Sequence, residues 1–153
     1  MTPAALQRLL ITHAPDVPGI TAAAPRDDDS PYGLTVTLAG GGQAWWTITG
    51  TSPAPAAPPG GPAGTDPLPV PDLTGRPVPV ARVEQALIAV AVTQAPGEIC
   101  RIDRYSTRPE PPAVGYGATL ECRDGWKLFL SCYGTTRPGQ PHPDQPYRPH
   151  THV

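Results

Sequence analysis

Cysteines are the first residues in this sequence whose chemistry could matter. Cys100, Cys122 and Cys132 do not show the Cys-x-x-Cys spacing of zinc sites, and three is an odd number for a disulfide framework. Cys122 and Cys132 fall at the apolar positions of alternating stretches, and Cys100 lies between two isoleucines. A thiol in such surroundings packs as a small hydrophobic group, so we expect none of the three to act as a nucleophile.

Acidic and histidine-rich stretches are the next candidates, as metal ligands. Residues 27–29 are three adjacent aspartates, but adjacent carboxylates cannot all converge on one ion and no alternating calcium-loop pattern follows. His142, His150 and His152 lie in a proline-rich stretch, which does not preorganise a metal site. We therefore predict a polar turn at 27–29, no metal site and no other cofactor.

Catalytic motifs are absent from the sequence. No serine lies in a Gly-x-Ser-x-Gly context, and no glycine-rich loop opens a helix to cradle a phosphate. The glycines at 40–42 join two strand-like stretches, which is typical of a turn. We predict that the protein is not an enzyme and keep a small enzyme with an unrecognised site as the third hypothesis.

The strongest candidates for function are aromatic and hydroxyl side chains that two predicted hairpins place on the same face of a sheet. Trp45 and Thr47 belong to the first hairpin, and Phe129, Ser131 and Tyr133 to the second. Rigid aromatic side chains are favoured at binding surfaces because they lose little entropy on binding. These five residues form the predicted partner-binding surface. The alternative interpretation is that the chain's own linker covers this face.

Four arginines in the second half support a different hypothesis, in which aromatic side chains stack on bases. Arg101, Arg104, Arg108 and Arg123 would supply the positive charge that binding to nucleic acid requires. Acidic residues are interleaved with them, and the formal net charge of the chain is -2. Binding to nucleic acid is therefore the second hypothesis.

Composition limits the class of protein. The chain has 153 residues, with 24 prolines and 16 glycines, and Lys127 is its single lysine among 11 basic residues. This usage is typical of a GC-rich bacterium or one of its phages. No stretch approaches the ~20 apolar residues of a membrane span, and no signal-peptide pattern is present, so we expect a cytoplasmic protein without membrane contact.

Periodicity and turn residues predict two helices and six strands. Thr2 is a suitable N-cap with Pro3 at the first helical position. The predicted helices cover residues 4–14 and 80–94. The predicted strands cover residues 20–24, 34–39, 43–49, 98–106, 116–122 and 126–133.

Pairing geometry supports the two hairpins, because residues directly opposite in an antiparallel pair share a face. In the second hairpin, a three-residue loop at 123–125 pairs Leu120 with Leu128 and Glu121 with Lys127, which puts the apolar residues on one face.

In the first hairpin, a loop at 40–42 gives the same segregation and pairs Leu38 with Ala44 and Val36 with Trp46. Both hairpins are thus predicted to close with three residues.

Two α-β-β-β units follow from this order, which predicts an α+β fold with an internal duplication. The halves span residues 1–51 and 80–136, a mobile proline- and glycine-rich linker spans 52–79, and a disordered tail spans 137–153. Both helices would cover one face of an antiparallel sheet that the units build edge to edge. At the level of topology this resembles the type III secretion chaperone-like fold, although a third, C-terminal helix is missing.

The first functional hypothesis is a non-catalytic protein-binding module, namely an adaptor, a chaperone-like protein, an immunity protein or a host-takeover factor. It rests on the paired outward aromatics and on the lack of an assembled catalytic site. The predicted partner is another protein, with a homodimer through a sheet edge as an additional route to assembly.

Overall fold

The computed structural model describes residues 1–53, 64–110, 112–143 and 145–153. Within these residues the fold is α+β, with two α-helices and six strands, which confirms the predicted class. The helices are α1 (Pro3–His13) and α2 (Val80–Gln94). The strands are β1 (Ile20–Pro25), β2 (Gly33–Leu38), β3 (Gln43–Thr51), β4 (Ile99–Arg104), β5 (Gly117–Cys122) and β6 (Lys127–Thr136).

Helix α1 begins where the sequence predicts. The Ala5 N–H donates a hydrogen bond of 3.2 Å to the Thr2 hydroxyl, and Pro3 occupies the first turn. Both features satisfy or remove backbone donors that a helix start leaves unpaired. Leu6 and Leu10 are fully buried against the sheet, so this short helix is held by its apolar face.

Helix α2 is buried along most of its length, because ten of its fifteen residues have little contact with solvent. Val83 and Leu87 join Leu6 of α1 and the inner residues of the sheet in one continuous core. No helix in the described parts of the chain is long and apolar enough to cross a membrane.

The sheet has the strand order β1-β2-β3-β6-β5-β4, and every neighbouring pair is antiparallel. Each half of the chain contributes three strands, which run in chain order from one edge of the sheet to its centre, where β3 and β6 are neighbours. The two predicted hairpins therefore do join edge to edge into one sheet with both helices on one face. Descent from a duplicated unit stays a prediction.

The second hairpin has the predicted register. Leu120 lies opposite Leu128, and Glu121 lies opposite Lys127. Gly125 has a φ of 83°, the left-handed conformation that the third residue of such a loop requires.

The first hairpin differs from its predicted register by two residues. Val36 lies opposite Ala44, and Leu34 opposite Trp46, so the loop is 39–41 and not 40–42. A side chain on Gly42 would come within 2.9 Å of Val153 and 3.1 Å of the Thr136 carbonyl, so Gly42 fits beside β6. A shift of two preserves the face of every side chain, and the apolar face is as predicted.

The linker prediction covers residues 52–79, of which 54–63 lie outside the described residues. Within residues 64–79, Leu73 and Val78 are buried in the core, whereas a mobile spacer was predicted. Leu73 is 1 % exposed, and its N–H donates a 3.0 Å hydrogen bond to the Pro18 carbonyl. Proline-rich backbone loses little entropy when it is fixed, so a few apolar contacts suffice to hold it.

The tail, residues 137–153, is the largest departure from the sequence prediction. Its described residues lie first on the sheet face opposite the helices and end beside the start of α2. There the Val153 N–H donates to the Val78 carbonyl at 2.9 Å, and the Val80 N–H donates to the Thr151 carbonyl at 3.0 Å. The composition of the tail predicted disorder, but contacts of its His142 and Tyr147 rings and of Pro143 with the sheet hold it in place.

Candidate functional site

The outer face of the sheet, which is the face opposite the helices, carries the five predicted partner-binding residues. Thr47 and Ser131 lie opposite each other on β3 and β6, at the centre of the sheet. The tail divides this face into two parts. The covered half comprises β1, β2 and β3 with residues 133–136 of β6, and the open half comprises β4 and β5 with residues 127–131 of β6.

Trp45 is not exposed, which corrects the sequence prediction. The residue is 4 % exposed, and the His142 ring of the tail meets its indole edge to face at a centroid distance of 5.4 Å. The indole N–H donates to the Gln43 side-chain oxygen at 3.3 Å. The alternative interpretation, a face covered by the chain itself, therefore holds for this half, although the tail and not the linker supplies the cover.

Arg26 forms the centre of the covered half, and sequence reasoning missed it. Its guanidinium carbon lies 3.8 Å from the Tyr133 ring centroid and 5.7 Å from that of Trp45. The guanidinium donates to the Thr47 hydroxyl at 2.8 Å and forms an ion pair with Asp28. A cation held between two aromatic faces and paired with a carboxylate is strongly positioned.

A glycine explains how Arg26 reaches this position. Gly33 lies opposite Thr47 on β2, and a side chain there would come within 2.5 Å of the Arg26 stem. A glycine at an outward position of a strand indicates that another group packs closely there, and this was the signal available in the sequence. The group is Arg26, which lies in a stretch that was predicted only to be a polar turn.

The tail follows the covered half through a second ring contact. Tyr147 meets Tyr133 edge to face at 5.2 Å, and its N–H donates to the Tyr133 carbonyl at 2.6 Å. Pro143 occupies the space above Gly134, where a side chain would come within 2.5 Å of the proline ring.

The open half has an apolar centre within a charged rim. Phe129 is partly exposed there and lines a cavity of about 340 Å³. The charged residues around it are Arg101, Asp103, Arg108, Glu121 and Lys127.

Two ion pairs order this rim. Arg108 donates two hydrogen bonds, of 2.9 and 2.7 Å, to the Asp103 carboxylate, and these bonds lower the pKa of Asp103 below its ordinary value. Lys127 lies 3.3 Å from the Glu121 carboxylate, as the predicted pairing requires. Arg101 lies opposite Glu121 on β4 with its side chain exposed, so the rim presents charge of both signs.

The four arginines of the nucleic-acid hypothesis do not form one patch. Arg104 points to the helical side of the sheet, where its guanidinium donates to Glu84 at 2.9 Å. Arg108 is neutralised by Asp103 on the outer face, where Arg101 also lies. Arg123 is exposed in the loop of the second hairpin. The predicted positive charge is therefore divided between the two faces of the sheet and this loop.

Glu84 is a second residue that sequence reasoning missed. It is completely buried, and its carboxylate accepts hydrogen bonds from Arg104, from the Ser106 hydroxyl at 2.6 Å and from the Gly117 N–H at 2.7 Å. The sequence did contain a signal for its burial, because Glu84 is the single acidic residue on a helix that is otherwise mostly apolar. Because the carboxylate accepts three hydrogen bonds within the fold, it acts as a structural tie between α2, β4 and β5.

The cysteines lie on or near the core, as predicted for two of them. Cys122 and Cys132 are buried, and burial raises the pKa of the Cys122 thiol to about 11 and raises that of Cys132 as well. Cys100 differs from the prediction, because a β-bulge between Ile99 and Arg101 leaves it partly exposed.

The three tail histidines do not converge. His142 packs on Trp45, the His150 N–H donates to Thr135, and His152 pairs with Pro79. Across the described residues, no group of three or more His, Cys, Asp or Glu side chains could hold a metal ion. Asp27, Asp28 and Asp29 follow β1, and Asp28 pairs with Arg26.

No protein-family model, curated protein or solved structure matches this chain.

Proposed function

We propose that this protein is a non-catalytic protein-binding module that contacts its partner through the open half of the outer face. The observation that carries the proposal is Phe129, a partly exposed aromatic side chain on a sheet face that the helices leave uncovered. Protein interfaces commonly combine a desolvated aromatic anchor with a polar rim.

The rim supports contact with a protein in preference to a polyanion. Its two ion pairs, Asp103 with Arg108 and Glu121 with Lys127, cancel most of the local charge. Binding to nucleic acid draws its affinity from cations that neutralise phosphates, and these cations already have partners. A surface with both signs of charge instead fits a protein surface of complementary pattern.

The role within this class is an adaptor, a chaperone-like protein, an immunity protein or a host-takeover factor, all of which act by occupying a surface of another protein. Ser131 and Thr47 lie at the border of the two halves and extend the contact surface towards Tyr133. Trp45 and Tyr133 lie under the tail, so they do not contact the partner while the tail covers them.

Affinity capture with matched variants tests the proposal. The immobilised chain is incubated with extract from cells that naturally make it, and recovered proteins are identified and then titrated in purified form. We expect Phe129→Ala to weaken the interaction by at least about tenfold, which is the effect of losing an aromatic anchor. Tyr32→Ala, at an exposed aromatic residue outside the open half, is the matched control and should bind normally.

Two outcomes would contradict the proposal. One is recovery of the same partner with equal affinity by Phe129→Ala and by the exposed charge reversal Arg101→Glu. The other is retention of DNA or RNA that falls steeply with added salt, which would favour the nucleic-acid hypothesis.

A further inference from the structure

We infer that the covered half is a binding groove for a proline-rich peptide of another protein, and that the tail is the occupant this chain supplies to itself. The inference deepens the proposed function and rests on it, since it names the chemistry of a partner segment for the same sheet face. The peptide groove lies around Trp45 and Tyr133 in the covered half, whereas the proposed function depends on Phe129 in the open half.

The tail binds the groove through two rings, as a peptide ligand would. The His142 ring meets Trp45 at 5.4 Å and the Tyr147 ring meets Tyr133 at 5.2 Å, both edge to face. Aromatic side chains placed on aromatic side chains in this geometry give both affinity and position.

A notch for proline lies between the two ring contacts. Gly134 faces outward opposite Trp45, and the Pro143 ring fills the space that a side chain at 134 would occupy. Proline-rich segments bind with little loss of entropy because their extended conformation is already formed in the free peptide.

The floor of the groove is ordered by contacts that do not involve the tail. Arg26 is held by Asp28 and the Thr47 hydroxyl, and its guanidinium supports both aromatic rings. The Trp45 indole is fixed by Gln43. The groove therefore keeps its shape for any occupant with suitable chemistry, which is the condition for exchange of ligands.

The tail fills the groove incompletely. A cavity of about 500 Å³ remains between Trp45, Thr37, Asp27 and the Gln140 region of the tail. A second cavity, of about 290 Å³, lies between Thr135 and the tail around His150.

Strain in the tail also favours exchange. Tyr147 has a φ of 56°, a conformation that non-glycine residues rarely adopt, and the residue is 46 % exposed. A ligand with a basic residue near Asp27, a ring over Trp45 and an unstrained backbone at the second ring would fit the groove better than the tail does.

Fluorescence anisotropy with a labelled peptide tests the inference. The peptide has the sequence of residues 138–150, and the full chain is compared with His142→Ala/Tyr147→Ala, in which the tail loses both ring contacts. The tethered tail competes at an effective concentration on the order of millimolar. We therefore expect the double variant to bind the peptide about tenfold more tightly than the unmodified chain does.

Gly134→Ala, added to the double variant, tests the site itself. The added methyl group closes the notch for proline, and we expect peptide affinity to fall at least about tenfold. Gly134 has no left-handed backbone conformation, and circular dichroism and thermal unfolding verify that each variant is folded. A peptide with alanine in place of both rings is the matched control and should not bind.

A displayed library of random peptides, selected on the double variant, tests the ligand class. Enrichment of sequences that combine proline with a spaced aromatic or imidazole ring is expected. Enrichment without proline would overturn the inference.

Three other results would overturn it. They are equal peptide affinity of the unmodified chain and the double variant, peptide binding that Gly134→Ala leaves unchanged, and a dimer that dissociates on Tyr147→Ala. The last result would assign the groove to the tail of a second copy. Loss of peptide binding together with intact, Phe129-dependent capture of a partner would reject this inference and leave the proposed function standing.

Discussion

The two halves of the outer face have the same strand geometry and different surroundings. In the covered half, outward glycines at Gly33 and Gly134 leave space that Arg26 and Pro143 fill. In the open half, the surroundings of Phe129 carry long charged side chains in two ion pairs, Glu121 with Lys127 across strands and Asp103 with Arg108 of the loop after β4. The two halves thus differ in what lies over them, which is the chain's own tail in one half and a rim of paired charges in the other.

The helical side shows a related contrast. When α1 and α2 are aligned through Gln7 and Gln85, Leu6 of α1 and Glu84 of α2 occupy equivalent positions, and both are completely buried. The first half thus fills this position with an apolar group, and the second half fills it with a carboxylate bound by Arg104.

The largest expected effect comes from making the second half resemble the first. Glu84→Leu leaves the Arg104 guanidinium and the Gly117 N–H without their acceptor, and we expect a loss of about 3 kcal/mol in the free energy of unfolding. Urea denaturation followed by circular dichroism measures this loss.

The double variant Glu84→Leu/Arg104→Leu separates the two contributions. Replacing both partners of a buried pair by apolar groups is often close to neutral, so it should recover most of the lost stability. A double variant as unstable as Glu84→Leu would show that the carboxylate acts mainly through Ser106 and Gly117.

The second prediction compares one arginine from each half of the outer face. Arg26→Ala removes the contacts to Tyr133 and Thr47 and should lower the free energy of unfolding by about 2 kcal/mol. Arg101→Ala, at an exposed side chain of the open half, should change it by no more than about 0.5 kcal/mol. Thermal unfolding of the two variants side by side measures the difference, and equal effects would remove the distinction between the halves.

Local sequence patterns predicted most of the fold because the decisive contacts were local. The cap at Thr2, the full length of α2 and the register of the second hairpin each depend on residues close together in the chain. The register of the first hairpin was predicted two residues off because a shift of two keeps every side chain on its face, so the apolar alternation fits both registers.

The candidate site was predicted less well for the same reason. Alternation placed Trp45 and Tyr133 on the correct face but could not reveal what lies over them. Arg26 reaches them from a loop before β2, and His142 reaches Trp45 from the tail. Composition predicted disorder for the tail, because an average over prolines and polar residues does not register a few well-placed rings.

The third prediction concerns the cover itself. Tyr147→Ala removes the ring contact with Tyr133, worth about 1 kcal/mol, and should speed amide hydrogen exchange in residues 145–150. Mass spectrometry of exchanged peptides locates the change, and Tyr147→Phe, which keeps the ring, is the control. Faster exchange in β5 as well would mean that the tail also stabilises the open half, which would contradict the independence of the two halves.

The smallest effect is a pH dependence that belongs to the open half alone. The hydrogen bonds from Arg108 hold the pKa of Asp103 below its ordinary value of 3.8, so folding favours the ionised carboxylate. A group with a depressed pKa stabilises the fold above its unfolded pKa, and this contribution is lost as the pH falls through the folded pKa. Asp103→Asn should therefore lower the melting temperature slightly at neutral pH, and the difference from the unmodified chain should disappear as the pH falls through the folded pKa of Asp103.

Asp66→Asn, at an exposed carboxylate, is the matched control and should leave the melting temperature at neutral pH unchanged. A difference for Asp103→Asn that persists in acid would assign its effect to packing and not to charge. Because added salt screens exposed pairs, the neutral-pH difference should also shrink in about 1 M NaCl. A rim held by such weak pairs should therefore rearrange more readily than the surroundings of the Arg26 guanidinium, which is buried beside Trp45 and Tyr133.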